Sequence, residues 1–528
     1  MPGRETHHDN NEHEPAHHQT GHHHRRSTRS IAGLLGLLAA CCAMALTALP
    51  SRATDEGPGP GATARLVSQQ GGRAEPVIAG GDEPAARVAS RGKSPFSLEG
   101  GVEGDTRLGV DGQCPDGVVL QQEQINGILV TRLGPGIREI DELFTRMMAL
   151  TKLPGAAFVL CYQGRLVYAA GFGYSNLEDR IPFTPYTLCE IGSVTKPLAA
   201  MTILTLLDKG ELSLDDRPDK ILGWSVDDPY KQSEYDKVTV KHCLSHQMIY
   251  SRFVGDRNEC ARILGINPEM VSEEDLQKAS MKFGLKFSPG TQTEYSGQGQ
   301  GLLARIVERK RGGRFIDEMQ HQLKRLGIED FFSFNFTDDA RRAMVPPSYS
   351  YDANTGAFVP SPVPDIVATG FADAVGSGVM SPLSLARFGD RFLNLYRDPA
   401  RMARMMWENR SEGYMLGWRY TFDQNTKGMG LWHGGVIGGW RTGLGTAFST
   451  GELFPGTTNV TIFNNSHPTG EILILRLLMG SVSPEDLDKY GIPQDAFGPE
   501  LQGILPKLFK SGRLNHYSDL WMAAGYPN

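Results

Sequence analysis

A chain of 528 residues, 40% of them hydrophobic, is too long for one small domain and long enough to bury a sizeable core. Its formal net charge of −7 is mild for that length, and no basic stripe runs along it, which excludes the electrostatic footprint of a nucleic-acid binder. The seven cysteines form no C-x-x-C pair, so zinc and thioredoxin-like sites lack support; packed core thiols are expected, with one disulfide among Cys114, Cys161, Cys189, Cys243 and Cys260 as the alternative.

Residues 1–24 hold eight of the fourteen histidines and read as a low-complexity polar tail, with metal binding as the sharper alternative. Arg25, Arg26 and Arg29 then precede an apolar run from Ile31 to Leu49 and the small-x-small sequence Ser51-Arg52-Ala53. This is the pattern of a secretory signal with a long leader, so residues 1–53 predict export to a periplasmic or extracellular location. Two variants stay open. Leu38-Ala-Ala-Cys41 resembles a lipoprotein cleavage box, and residues 31–49 are long enough for an uncleaved membrane tether. Residues 54–118, rich in Gly, Pro, Ala and charge without an apolar period, read as a flexible tether.

The body begins with a helix over Ile137–Leu150, whose Ile137, Ile140, Leu143, Phe144 and Met147 share one face. Ala156–Tyr162 and Arg165–Ala170, joined by Gln163-Gly164, predict a β-hairpin. Glu190-Ile-Gly-Ser-Val-Thr-Lys-Pro197 follows and opens a run that is apolar nearly all round to Leu207, the pattern of a helix buried through a domain. A start at Ser193 agrees with Pro197 near the first turn, and Gly210 is the expected C-cap. Short helical segments and loops, including Gly255–Asn258 and Ser348–Gly356, fill the stretch from Leu212 to about Val367. Ser381-Pro382 starts a helix through Leu395. Strands are expected at Tyr414–Phe422, Gly428–His433, Gly439–Ser449 and Thr458–Phe463, then an apolar helix at Glu471–Met479. Early and late strands in one sheet, with a helical lobe between, put a cleft at their junction.

On a helix start, Ser193 and Lys196 are three residues apart and share a face. A lysine amine in that place can take the serine proton and make the hydroxyl a nucleophile. The spacing alone is equally that of a serine cap beside a solvated lysine.

Downstream pieces decide between these. Gly155-Ala-Ala-Phe-Val-Leu160, Gly192-Ser-Val-Thr-Lys196, Gly210-Glu-Leu-Ser-Leu-Asp-Asp216, Val238-Thr-Val-Lys-His-Cys-Leu-Ser-His246, Pro289-Gly-Thr-Gln-Thr-Glu-Tyr295-Ser296, Tyr414-Met-Leu-Gly-Trp418 and His433-Gly434-Gly435 come in family order. The chain thereby resembles the serine hydrolases that comprise class C β-lactamases, D-alanyl-D-alanine carboxypeptidases and related esterases. The resemblance implies an α+β fold of β-lactamase/transpeptidase type: an antiparallel sheet flanked by N- and C-terminal helices, over residues 119–480. It places the inserted, mainly helical lobe at about 211–370 and leaves a C-terminal extension at 481–528.

It also implies roles. Ser193 would be the nucleophile, Lys196 its base, Tyr295 a proton relay, and His433 a catalytic or substrate-contacting residue in place of the family's lysine. The N–H groups of Ser193 and Val436 would form the oxyanion hole, with Gly434 and Gly435 letting substrate approach the strand. Two departures stand out: Gly297 occupies the place of the family's asparagine, with Gln298 and Gln300 as nearby amides to replace it, and Gln247-Met-Ile249 replaces Thr-Ser-Gly after His246, which makes His246 structural.

The expected function is an exported serine hydrolase forming an acyl-enzyme on an ester, amide or peptide carbonyl, most like an esterase or amidase, needing no metal or organic cofactor. A cell-wall D-Ala-D-Ala peptidase or penicillin-binding protein, and a binder that keeps the pocket without turnover, are the alternatives. The partner is a small-molecule or peptide substrate, not nucleic acid; oligomeric state is left open.

Overall fold

The computed structural model describes residues 114–334, 337–361, 371–423, 428–449, 457–463, 470–489 and 491–526. The leader at 1–53 and nearly all of the 54–118 tether lie outside the described residues. Among the described residues no helix is long and apolar enough to cross a membrane.

Fifteen strands are present among these residues: β1 Leu120–Ile125, β2 Ile128–Leu133, β3 Gly155–Tyr162, β4 Arg165–Asn176, β5 Ile181–Pro182, β6 Cys189–Glu190, β7 Phe332–Ser333, β8 Ser348–Asp352, β9 Ala357–Ser361, β10 Gly378–Met380, β11 Tyr414–Met415, β12 Trp418–Asp423, β13 Gly428–Ile437, β14 Trp440–Ser449 and β15 Thr457–Phe463. The main sheet is antiparallel, in the order β1-β2-β4-β3-β15-β14-β13-β12-β11, with β5 added to β4. Early strands therefore meet late ones at the β3–β15 pair. The expected α+β fold is the one adopted.

β3 is buried along its whole length because both faces of the sheet are covered. Its alternate residues Ala156, Phe158, Leu160 and Tyr162 enter one core with the Arg138–Thr151 helix and the Gly470–Met479 helix. Ala157, Val159 and Cys161 enter the other, with the Thr195–Lys209 and Pro382–Arg391 helices. A register shift at Leu160/Cys161 places the consecutive Val167 and Tyr168 of β4 in the same core.

Local signals account for the turns. Gln163 and Gly164 both have positive φ, 52° and 75°, and so do Asn126 and Gly127 at 51° and 76°, the geometry of tight hairpins. The second hairpin, β1–β2, was absent from the predicted elements although Asn-Gly announces it. Ser348–Gly356 differs from the expected loop: β8 and β9 pair there, closed by an Asp352 carboxylate that accepts from Asn354 N–H and the Thr355 hydroxyl (both 2.9 Å). The five cysteines that are described are free thiols, four of them buried.

The segment after Ser481 packs back onto the sheet. Leu520 N–H donates to Leu166 O (2.9 Å), Leu166 N–H donates to Asp519 Oδ1 (3.0 Å), and Tyr186 OH donates to Ala524 O (3.0 Å). Trp521, fully buried, donates its indole N–H to Gly164 O (3.2 Å) at the β3–β4 turn. Trp521→Ala is expected to lower the free energy of unfolding by about 3–5 kcal/mol, measured by denaturant titration with circular dichroism; a loss below about 1 kcal/mol would show that this segment contributes nothing to the fold.

Candidate functional site

The chain leaves β6 and makes a 3-10 turn, Gly192–Val194, before the Thr195–Lys209 helix begins. Ser193 thus precedes the α-helix rather than starting it. The reason lies at Gly192: its φ of +51° departs from helical backbone, and its carbonyl accepts the Thr195 hydroxyl (2.7 Å). Ser193 is partly exposed, while Gly192, Val194, Thr195 and Lys196 are buried.

This turn lies against β13 at a distance only glycine allows. A Cβ on Gly435 would stand 2.0 Å from Ile191 O, and one on Gly192 would stand 2.7 Å from Val436 N. β13 is paired to β14 along its length, but β12 accompanies it only as far as Trp432 opposite Arg419. From His433 to Ile437, inside the strand rather than at its expected end, the second edge faces the Ser193 turn. Val436 N–H and Ser193 are therefore neighbours, as the resemblance implies.

Lys196 Nζ donates to Ser193 Oγ at 3.0 Å and to Val375 O at 3.0 Å, with only 2% of the residue exposed. The same amine lies 4.9 Å from the centre of the Tyr295 ring. Tyr295 is 40% exposed and sits in a clamp made by His246. Glu294 N–H donates to His246 O (2.9 Å) and Ser296 N–H donates to His246 Nδ1 (3.1 Å), one bond on each side of Tyr295. The His246 ring packs 5.0 Å from Tyr295 and 4.4 Å from Tyr414.

His433 completes the ring cluster 5.9 Å from Tyr295. Both histidines are held neutral, first by burial and then by the Lys196 charge: His246 is pushed down to about 3, and His433 lies well below the usual imidazole range. Their tautomers are opposite. Nδ1 of His246 accepts from Ser296, which leaves Nε2 as an N–H donor; Nδ1 of His433 donates to Gly434 O (2.7 Å), which leaves Nε2 as an acceptor. Both Nε2 atoms are buried without a hydrogen-bond partner among the described residues.

Ser193, Lys196, Tyr295 and His433 are thus brought together, with Gly434, Gly435 and Val436 along the adjoining strand edge. Gln298 and Gln300 do not replace the missing asparagine: Gln298 Oε1 accepts Tyr250 N–H (2.6 Å), and the Gln300 amide is buried without a partner among the described residues. The second acceptor of Lys196 is instead the main-chain oxygen of Val375, which no side-chain motif could announce.

Arg419 is a further site residue absent from the sequence expectations. Its guanidinium lies over Tyr295 (5.2 Å), Tyr414 (4.8 Å) and Trp432 (5.2 Å). Tyr414↔Arg419 and Arg419↔Trp432 are cross-strand pairs, so the stack follows from register. Tyr295 therefore has a cation over its ring from two different elements. Glu190 is the other: 1% exposed, immediately before the turn, with both carboxyl oxygens lacking a partner among the described residues.

A family model described as Beta-lactamase matches residues 140–472. Among curated proteins the chain is similar to "Penicillin-binding protein 4*" of Bacillus subtilis (29% identical over 158 residues, 29% of this chain and 32% of that protein). It is also similar to "Protein flp" of Staphylococcus aureus (25% over 185 residues, 32% and 33%). The chain spans about a third of the length of these relatives. Among solved structures, the octameric penicillin-binding protein homologue from Pyrococcus abyssi shares the fold at TM-score 0.51 and 24% identity, over 65% of this chain and 77% of that one. FmtA from Staphylococcus aureus does so at TM-score 0.50 and 14% identity, over 65% and 88%.

Burial pushes the Glu190 carboxyl from 4.5 up to about 8. The folded protein then keeps a proton that the unfolded chain has lost, so Glu190 makes stability fall as pH rises from about 4.5 to about 8. In Glu190→Gln the melting temperature is expected to drop less between these limits than in the wild type; equal drops by calorimetry would refute the assignment.

Proposed function

The chain belongs to the Beta-lactamase family of serine hydrolases, and from that premise we propose that it is an exported enzyme in which Ser193 forms an acyl-enzyme with an ester, amide or peptide carbonyl, esters foremost. The observation that carries this proposal is the 3.0 Å contact between the buried Lys196 amine and Ser193 Oγ.

In the proposed sequence the Lys196 side chain takes the Ser193 proton while Oγ bonds to the carbonyl carbon. The carbonyl oxygen becomes an oxyanion held by the N–H groups of Ser193 and Val436; losing one such donor costs about 10²–10³ in rate. The oxyanion collapses, the bond to the leaving alcohol or amine breaks, and the proton passes from Lys196 through the Tyr295 phenol to that leaving group. Water then adds to the acyl-serine by the same route and releases the acid.

His433 supports the ester preference. A neutral imidazole, its Nε2 left as an acceptor, offers no cation to a substrate carboxylate, and peptide ends carry one. His246 acts through Tyr295, as a positioning residue. The similarity to "Penicillin-binding protein 4*" supports the rival reading of a penicillin-binding protein, and the leader at 1–53 supports export.

The test is incubation of the full chain and Ser193→Ala with a fluorophosphonate, a labelled penicillin, nitrocefin and p-nitrophenyl esters. Labelling of Ser193 and ester turnover are expected, with turnover falling about 10²–10⁴-fold in Lys196→Ala. Absence of any Ser193 adduct would overturn the hydrolase assignment to this site, and penicillin labelling with no ester turnover would select the peptidase. His246→Ala is expected to lower kcat about 10-fold or more with little change in KM, since it moves Tyr295 without touching substrate; a change confined to KM would refute the positioning role.

A further inference from the structure

Residues 375–376 lie beside the Ser193–Lys196 pair, and Val375 packs in turn on Gly297. Val375 O holds Lys196 Nζ at 3.0 Å, a Cβ on Gly376 would stand 3.9 Å from Gly192 C, and Ile191 N–H donates to Gly378 O at 2.9 Å. The segment therefore runs directly along the Ser193 turn. It is pinned from behind, where the buried Asp373 carboxylate accepts from the Ser333 and Ser377 hydroxyls.

The Val375 side chain is half-buried and turned over Gly297. A Cβ built on Gly297 would meet Val375 Cγ1 at 2.4 Å and Cγ2 at 3.0 Å. The φ of Gly297 is −86°, backbone that any residue adopts, so the glycine there answers to the isopropyl group above it and not to strain. A side chain at 297 and the Val375 side chain in its present position exclude one another. The space a side chain at 297 would occupy is filled by hydrocarbon.

We propose that Val375, seated over Gly297, is the specificity-determining residue on the acyl side of this site, and that the substrates are esters of plain apolar carboxylic acids rather than of acylamino acids. The inference rests on the hydrolase assignment above and deepens it. An amide group next to the scissile carbonyl would be dehydrated against Val375 without a hydrogen-bond partner, whereas an alkyl or aryl group loses water favourably there. Val436, 41% exposed in the strand beside the Ser193 turn, and the Tyr295 ring, 40% exposed beside Lys196, add accessible apolar surface near the site. An unpaired buried amide corresponds to a penalty of about 10–100-fold.

The experiment compares kcat/KM for p-nitrophenyl butyrate and the p-nitrophenyl ester of N-acetylalanine, alongside fluorophosphonate labelling of Ser193. The wild type is expected to prefer the butyrate by at least about 10-fold, and Val375→Asn, which puts an amide on the same wall, to narrow that ratio about 10-fold. Val375→Thr keeps the side-chain shape and serves if the asparagine variant does not fold. A wild-type ratio near one, or a ratio unmoved by either variant, with Ser193 still labelled, overturns the specificity inference alone. No labelling and no turnover overturns the hydrolase assignment and this inference with it. The packing premise has its own readout: Gly297→Asn should lower the melting temperature and Val375→Ala should restore part of it, whereas strictly additive effects refute the mutual exclusion.

Discussion

The contact of the Ile191–Val194 turn with the backbone of β13 is the constraint on which the site depends. Two main chains approach here to a distance that excludes even one methyl group at Gly192 or Gly435. Because the turn is seated on the strand, Ser193 and Val436 N–H are held by secondary structure rather than by loops, which gives the fixed separation that the proposed nucleophile and oxyanion donor require. The strand itself is paired to β14 across its whole length. The sheet is in turn covered on both faces, each of them partly by the segment that follows Ser481.

Electrostatics then sorts the side chains around that seat. Burial and two nearby cations, Lys196 and Arg419, keep His246 and His433 uncharged, so neither competes with Lys196 as a positive group. With charge removed, the histidines act through hydrogen bonds: one ties down the backbone on both sides of Tyr295, the other bonds its own strand at Gly434. The phenol ring is left with Lys196 and Arg419 over it and its surface partly open to solvent. Glu190 follows the same rule from the other direction, since burial of a carboxyl without a hydrogen-bond partner among the described residues favours the protonated form.

The wall opposite the strand shows a trade between two positions. Main-chain oxygen at Val375 supplies the acceptor for Lys196, so the adjoining helix start at Gly297 carries no polar group and yields its space to the valine.

Much of this was legible in the chain because it rests on local chemistry. The apolar run after Ser193, glycine at 210, Gln163-Gly164 between β-prone segments and Ser381-Pro382 each specify an element through their own backbone preferences, and the ordered motifs picked out Ser193, Lys196, Tyr295 and His433 before any geometry was known. What depended on distance in space was not legible. Arg419 reads as an ordinary strand arginine until register sets it between Tyr414 and Trp432; the Val375 carbonyl is invisible in any pattern of side chains; and Gln298 and Gln300 are close to position 297 in sequence without either amide hydrogen-bonding Lys196. By itself the sequence determined which groups exist and which elements carry them, since those follow from short-range sterics and hydrophobic period. Tertiary structure alone decided which backbone atoms and charges face Ser193, because burial, tautomer and contact are properties of the packed interior.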